Sequence, residues 1–242
     1  MSTTTSAPTV LVVQNSPGGG PRRVGDWLAG AGLRLEVVYA AEQPLPDTLA
    51  HDAVMVMGGG YLPDEDDRAP WLPATRSLVG QALDAGRPVL GICLGGQLLA
   101  HVAGGVVESA VATENGSVPV RLRPDAETDA LFGGLPAVVP AIEHHSDAVT
   151  TLPDGAVWLA ETDRCPFQAF RVGEVAWGTQ FHPEIGPDQV LRWDADKLRA
   201  QGYDRDELYA AAVADEPIST PVWREVVDRF ATVVAERALT GT

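Results

Sequence analysis

The chain has 242 residues, 45% of them hydrophobic, and a formal net charge of −16 with its histidines neutral. That length suits one large α/β domain, or one domain with an appendage, around a sizeable core. So acidic a chain repels nucleic acid and anionic membranes, and neither is expected as a partner. The two cysteines do not make a disulfide framework. The Ser/Thr-rich start, Met1 to Pro8, has no basic region or apolar core, so no signal peptide is expected. No stretch reaches the length of a membrane-spanning helix, and a reduced cytoplasm is the expected setting.

In chain order, Thr9 to Val13 reads as a short buried strand. The Pro17-Gly18-Gly19-Gly20 loop after it lacks the Gly-Lys-Ser/Thr ending of a P-loop, and reads as a strand-to-helix connection on a pocket rim. Val24, Trp27, Leu28 and Ala31 recur at helical spacing and predict a helix over Arg22 to Ala31. Leu33 to Val38 and Ala53 to Met57 are further strands, the second running into Gly58-Gly59-Gly60. Trp71, Thr75, Leu78, Val79 and Ala82 line one face of a helix stopped by Gly86. The run Val89 to Ile92 then leads to Cys93, and Leu94 to Ala103 reads as the next helix. Strands alternating with helices imply right-handed crossovers and a mostly parallel sheet, with ligands beyond the carboxyl ends of its strands.

From Val106 to Thr179 the pattern shifts to short strands: Val118 to Arg121, Val138 to Ile142, Val157 to Ala160, Gln168 to Arg171 and Val175 to Thr179. Turn signals such as Pro153-Asp154-Gly155 separate them, and they read as an antiparallel part of the sheet that returns His182 to Cys93. Val222, Val226, Val227, Phe230, Ala231 and Val234 form an apolar stripe on a final helix, Pro221 to Leu239, that packs on the domain.

Two segments carry chemistry. Gly91-Ile92-Cys93-Leu94-Gly95-Gly96-Gln97 puts a sulfur nucleophile at a strand-to-helix turn, where glycines two before and two after relieve crowding. The amides opening the following helix favour thiolate over thiol. Gln180-Phe181-His182-Pro183-Glu184 offers an imidazole and a carboxylate two residues apart, on one side of an extended segment that Pro183 keeps extended. A cysteine alone is usually a buried structural thiol, and a lone histidine usually sits at a surface strand end; the two motifs together favour catalysis. Cys165, before Pro166 in a loop, reads as an incidental thiol.

These motifs, with the glycine turn upstream, resemble the class I (triad-type) glutamine amidotransferases, closest to the GMP-synthetase-like stand-alone subgroup. The resemblance covers roughly residues 8 to 190. It implies a flavodoxin-like α/β fold, a three-layer sandwich whose mostly parallel mixed sheet is flanked by helices. Residues 1–190 would then be the catalytic domain and 191–242 a helical extension packed on it. It implies Cys93 as the nucleophile, His182 as the proton carrier, Glu184 as its orienter, and the amides of Gly59 and Leu94 as oxyanion donors. Gly58, Gly60, Gln97, Asn115, Gly116 and His145 would contact substrate. Gly60 stands where the subgroup's pattern usually has proline, which predicts a weakly held oxyanion loop. Glu143-His144-His145-Ser146-Asp147 looks like a histidine-containing loop of the subgroup, read as solvated and near the pocket, with neither a metal nor any other cofactor expected.

The resemblance implies an enzyme that hydrolyses glutamine and supplies ammonia to a separate acceptor synthetase. The motifs describe only the acyl half of the substrate, so a γ-glutamyl peptide or amide hydrolase using the same thioester remains the alternative. An intact Cys/His/Glu set argues against a non-catalytic scaffold.

Overall fold

The computed structural model describes residues 6–240; residues 1–5, the start of the stretch read as lacking a signal peptide, lie outside the described residues. Strand β1 (Thr9–Gln14) leads to helix α1 (Arg22–Gly30), then β2 (Arg34–Tyr39) and β3 (Ala53–Val56). Helix α2 (Leu72–Asp84), β4 (Val89–Ile92) and α3 (Leu94–Val102) follow, then the short β5 (Val106–Glu108). Next come β6 (Glu114–Leu122), β7 (Val138–His145), β8 (Ala148–Thr151), β9 (Val157–Glu161), β10 (Ala169–Val172) and β11 (Ala176–Thr179). The chain closes with α4 (Pro187–Val190), α5 (Ala195–Ala200) and α6 (Arg205–Thr240).

Nine strands form one sheet in the order β2-β1-β3-β4-β11-β10-β9-β6-β7, and β5 pairs with β8 beside it. The strands from β2 to β11 pair in parallel. Those from β11 to β7 pair antiparallel, as the sequence predicted for the second half. The β2-β1-β3-β4 order is that of a flavodoxin-like doubly wound sheet, whose crevice lies at the carboxyl ends of the strands.

Alternation along β1 shows how the sheet is covered. Val10 and Val12 face one core with Val24 and Leu28 of α1 and Trp223, Val226 and Phe230 of α6. Leu11 and Val13 face the other, with Leu72, Leu78 and Val79 of α2 and Leu98 and Leu99 of α3. Successive strand side chains point to opposite faces, so a four-valine-like run buried on both faces needs helices on each. The architecture is therefore three-layered.

Two sequence expectations change here. The final helix begins at Arg205, not Pro221, and runs through both Pro217 and Pro221. Its packing on α1, α4, β6 and β7 holds it across the hydrogen bonds the prolines cannot make. The same packing makes α6 one of the two outer layers. Strand β6 begins at Glu114, not at Val118, so that Glu114, Asn115 and Gly116 pair with His145, His144 and Glu143 of β7.

Candidate active site

Cys93 stands between β4 and α3 with φ 53° and ψ −112°, a left-handed backbone that a non-glycine residue adopts at a cost. The neighbouring glycines explain how the turn closes. A Cβ on Gly91 would collide with the backbone of Gly95, and one on Gly95 with the carbonyl of Val56 in β3. A Cβ on Gly96 would lie 2.8 Å from the carbonyl oxygen of Thr179. The amide of Cys93 donates to that same oxygen at 2.7 Å, tying the elbow to β11.

Past β11 the chain carries the second motif to the same place. The amide of His182 donates to Ile142 O of β7 at 2.8 Å, and Arg23 of α1 donates through Nε to Pro183 O at 2.7 Å. Phe181 packs on Trp223 of α6, ring centroids 4.4 Å apart. So anchored, His182 Nδ1 and Glu184 Oε1 meet at 2.7 Å, and Glu184 is buried. Burial opposes charge on the imidazole, but the Glu184 carboxylate and then Cys93 outweigh it and hold the His182 pKa well above its ordinary value. His182 Nε2, the nitrogen turned from Glu184, is buried without a hydrogen-bond partner among the described residues.

Gly58 lies against both groups. A Cβ there would come 3.1 Å from His182 Cε1 and 3.9 Å from Cys93 Sγ, so only glycine leaves the space between them open. The loop behind it is firmly held. Asn15 Nδ2 donates to Met57 O at 2.8 Å while its Oδ1 accepts from Trp71 Nε1 at 3.0 Å. Gly59 is pressed between Asn15 and Leu94, and only Gly60 is open. Gly60 is exposed, and its carbonyl accepts from Arg68 Nη2 at 3.5 Å.

These residues open on a cavity of about 640 Å³. Gly58, Gly59, Gly60, Cys93, Gln97, Asn115, His145, His182 and Glu184 all line it. Gly116 is turned away: at φ +90° it is covered by Leu208 of α6, which a Cβ would approach to 2.5 Å. Glu143, His144 and His145 are not a solvated loop but the end of β7, and Glu143 and His145 are buried. His145 Nε2 faces Glu114 at 3.3 Å and Glu143 at 3.4 Å, while its Nδ1 faces Asp147 O at 3.1 Å. Burial lowers the His145 pKa, but the two carboxylates outweigh it and raise it to about 10. Burial holds the Glu143 carboxyl above its usual range.

Cys165 is fully buried beside this cluster, its pKa raised by burial and by Glu143 and Glu114. Glu114, His145 and Cys165 bring possible metal-ligand atoms within 4.8 Å of one another. The Glu114 oxygens already accept from Thr162 Oγ1 and Gln168 Nε2, both at 2.7 Å, so the cluster fits an ion-paired hydrogen-bond network.

No motif marked the far wall of the cavity, which Trp193, Lys197, Leu198 and Gln201 supply from beyond the second motif. Trp193 stacks on His144 at 4.2 Å, whose Nδ1 meets Asn115 Oδ1 at 2.7 Å. Short α4 and α5 carry no long apolar stripe, so periodicity could not have found this wall; the isolated Trp193 was its only signal.

A strained elbow carrying a cysteine beside a His–carboxylate pair, on a doubly wound sheet, is an arrangement suited to cysteine-dependent acyl transfer. The family model for glutamine amidotransferase class-I matches residues 26–190, and the chain belongs to that family. The chain is similar to the glutamine-hydrolyzing GMP synthase of Porphyromonas gingivalis, 47% identical over 100 residues, 40% of this chain and 19% of the relative. Against the enzyme of the same name from Streptomyces avermitilis it is 33% identical over 150 residues, 61% of this chain and 27% of the relative. The chain thus matches only about a fifth to a quarter of the length of these curated relatives. Among solved structures, a glutamine amido transferase from Methylobacillus flagellatus superposes with a TM-score of 0.72 at 27% identity, over 98% of this chain and 96% of that one. A glutamine amidotransferase from Thermotoga maritima shares the fold with a TM-score of 0.82 at 24% identity, over 93% of this chain and 98% of that one.

Proposed function

We propose that the chain hydrolyses the side-chain amide of glutamine through a thioester on Cys93 and passes the ammonia to a separate acceptor synthetase, in the cytoplasm. The observation that carries this reading is the 2.7 Å His182–Glu184 pair facing a cysteine held at φ 53°. The Cys93 thiolate attacks the amide carbonyl carbon, and the carbonyl π electrons move to oxygen, where the amides of Gly59 and Leu94 are the candidate donors. As the tetrahedral adduct collapses, the C–N bond breaks and the His182 imidazolium gives its proton to the departing nitrogen, releasing ammonia. Neutral His182 then takes a proton from water, whose oxygen attacks the thioester. The C–S bond breaks, glutamate leaves and the thiolate returns. Glu184 keeps Nδ1 protonated, so that Nε2 is the nitrogen that exchanges protons. Gly58, Gly60, Gln97, Asn115 and His145 are proposed to position the substrate; Gly116 is not.

The family membership and the names of the curated relatives support an ammonia-accepting partner. No helix among the described residues is long and apolar enough to cross a membrane. The test is steady-state release of glutamate and ammonia from glutamine by the purified chain, alone and with a candidate synthetase. Loss of both products in Cys93→Ala, and a faster rate with the partner, is the expected result. A Cys93→Ala variant at wild-type rate would remove the nucleophile assignment.

One observation favours the γ-glutamyl hydrolase as a second reading. A cavity of about 640 Å³ exceeds what glutamine alone fills, being in the range of drug-sized ligand sites. Its far wall carries Lys197, the only lysine of the chain. High kcat/KM on a γ-glutamyl peptide without any partner would decide for that reading over the amidotransferase.

A further inference from the structure

Buried beneath Cys93, on the side of α3, a chain of side-chain amides ends at the sulfur. Gln180 Nε2 lies 3.5 Å from Cys93 Sγ, and Gln180 Oε1 lies 3.0 Å from Gln97 Nε2. Gln97 Nε2 also donates to the backbone carbonyl of Asp147 at 3.0 Å. Both glutamines are almost fully buried, at 3% exposure each.

The directions of these bonds follow from chemistry. A backbone carbonyl can only accept, so the Gln97 atom facing Asp147 O is its nitrogen. That nitrogen also faces Gln180, so the Gln180 atom it meets is the oxygen. The remaining Gln180 group, its NH₂, is then turned to Cys93 Sγ. The Asp147 carbonyl is itself polarised from behind by His145 Nδ1 at 3.1 Å. His145 faces an acceptor at each ring nitrogen, Asp147 O on one side and the Glu114 and Glu143 carboxylates on the other, and so donates from both as the cation.

We infer that Gln180 is the donor that stabilises the Cys93 thiolate, and that Gln97 is the residue that orients it. The inference rests on Cys93 as nucleophile, and it gives the buried Glu114–Glu143–His145 cluster a role in the reaction. A hydrogen bond to the charged form of a group favours that form. It acts twice in the cycle: it raises the fraction of attacking thiolate, and it receives the negative charge when the C–S bond of the thioester breaks. It also commits both hydrogens of Gln97 to the protein, leaving that residue only its carbonyl oxygen for the ammonium group of a substrate.

The test uses the whole chain and iodoacetamide as the probe. The rate of Cys93 carbamidomethylation is followed by peptide mass spectrometry against pH, beside kcat/KM for glutamine against pH. Gln180→Met removes the donor, and Gln180→Glu keeps the shape while replacing the NH₂ by oxygen. Both should move the alkylation midpoint and the acid limb of kcat/KM upward by about one to two pH units, with the rate recovering toward alkaline pH. Gln97→Met, which frees the Gln180 amide to turn, should move both the same way by less. A uniform loss of rate across pH with an unmoved alkylation midpoint would make Gln180 a packing residue and overturn the inference. So would unchanged profiles in Gln180→Glu, which serves if Gln180→Met does not fold. Alkylation needs no turnover. A shifted midpoint in a protein inactive on glutamine would therefore fault the proposed substrate and leave the Gln180 assignment standing.

Discussion

Cys93 Sγ receives Gln180 Nε2 and faces the charged His182, whereas Cys165 Sγ is sealed among Glu143, Glu114 and Ala148. Reactivity follows thiolate character and access, so the two thiols should separate cleanly. Brief iodoacetamide treatment of the native protein at neutral pH is expected to label Cys93 and leave Cys165 unmodified until denaturant is added. Cys165→Ala should keep the glutaminase rate and cost about 1 kcal/mol of stability in urea unfolding, as a small cavity does. The His182–Glu184 pair sets a second expectation. His182→Ala removes the group proposed to move the proton, a loss that typically costs about 10²–10⁴-fold, and Glu184→Gln should leave a larger residual rate. Parallel kcat measurements check the order, and equal rates for wild type and His182→Ala would reject the role of His182.

At the scale of elements, the elbow depends on three strands and a helix approaching more closely than any side chain permits. Gly95 is the tightest point, its α carbon facing the carbonyl of Val56 in β3. Gly95→Ala must push α3 off the sheet, and overpacking of this kind costs about 1–3 kcal/mol or more. A lowered thermal midpoint with lost activity is expected, and an unchanged midpoint would show that the elbow yields. The wall formed by Trp193 carries a pH signature. His144 is exposed as a residue, and one face of its ring stacks on Trp193. Burial, then the positive charges of His182, His145 and Lys197, lower its pKa to about 4. A group whose folded pKa is depressed below the ordinary 6.5 of a histidine must lose the neutral form as the pH falls. The stability His144 contributes is thus complete above about 6.5 and lost between there and about 4. Solvent screening keeps the effect local. Amide protection factors over residues 187–203, corrected for the slower intrinsic exchange at low pH, should fall between pH 7 and 5, and His144→Phe, which cannot charge, should suppress that fall.

Over the whole molecule, α6 is a structural layer and not a loose tail. Trp223 is almost fully buried, donates from Nε1 to Pro140 O at 2.8 Å, and packs on Phe181 next to His182. Trp223→Ala should cost about 3–5 kcal/mol in denaturant unfolding. It should also lower kcat by loosening the segment that carries His182. A variant of wild-type stability would mean that the helix does not hold the sheet face it covers.

The arrangement of the candidate site was legible in the sequence because it rests on short-range geometry. An elbow cysteine between glycines, and a histidine two residues from a glutamate on an extended segment, define their own local arrangement. The alternation of strand and helix likewise gave the parallel half of the sheet, since period-2 and period-3.6 patterns depend only on near neighbours. What the sequence left open were contacts made across the sheet order. Gln97 reaches Gln180 across 83 positions and Glu114 reaches His145 across 31, so no local pattern marks either pair. The same cause hid the burial of Cys165, the turning away of Gly116 under Leu208 and the α5 wall of the cavity. The apolar stripe placed the start of the final helix at Pro221, whereas packing on neighbouring helices and strands carries it through Pro217 and Pro221 from Arg205. Tertiary structure alone decided these features, because burial and partner choice are set by which strands the chain brings side by side.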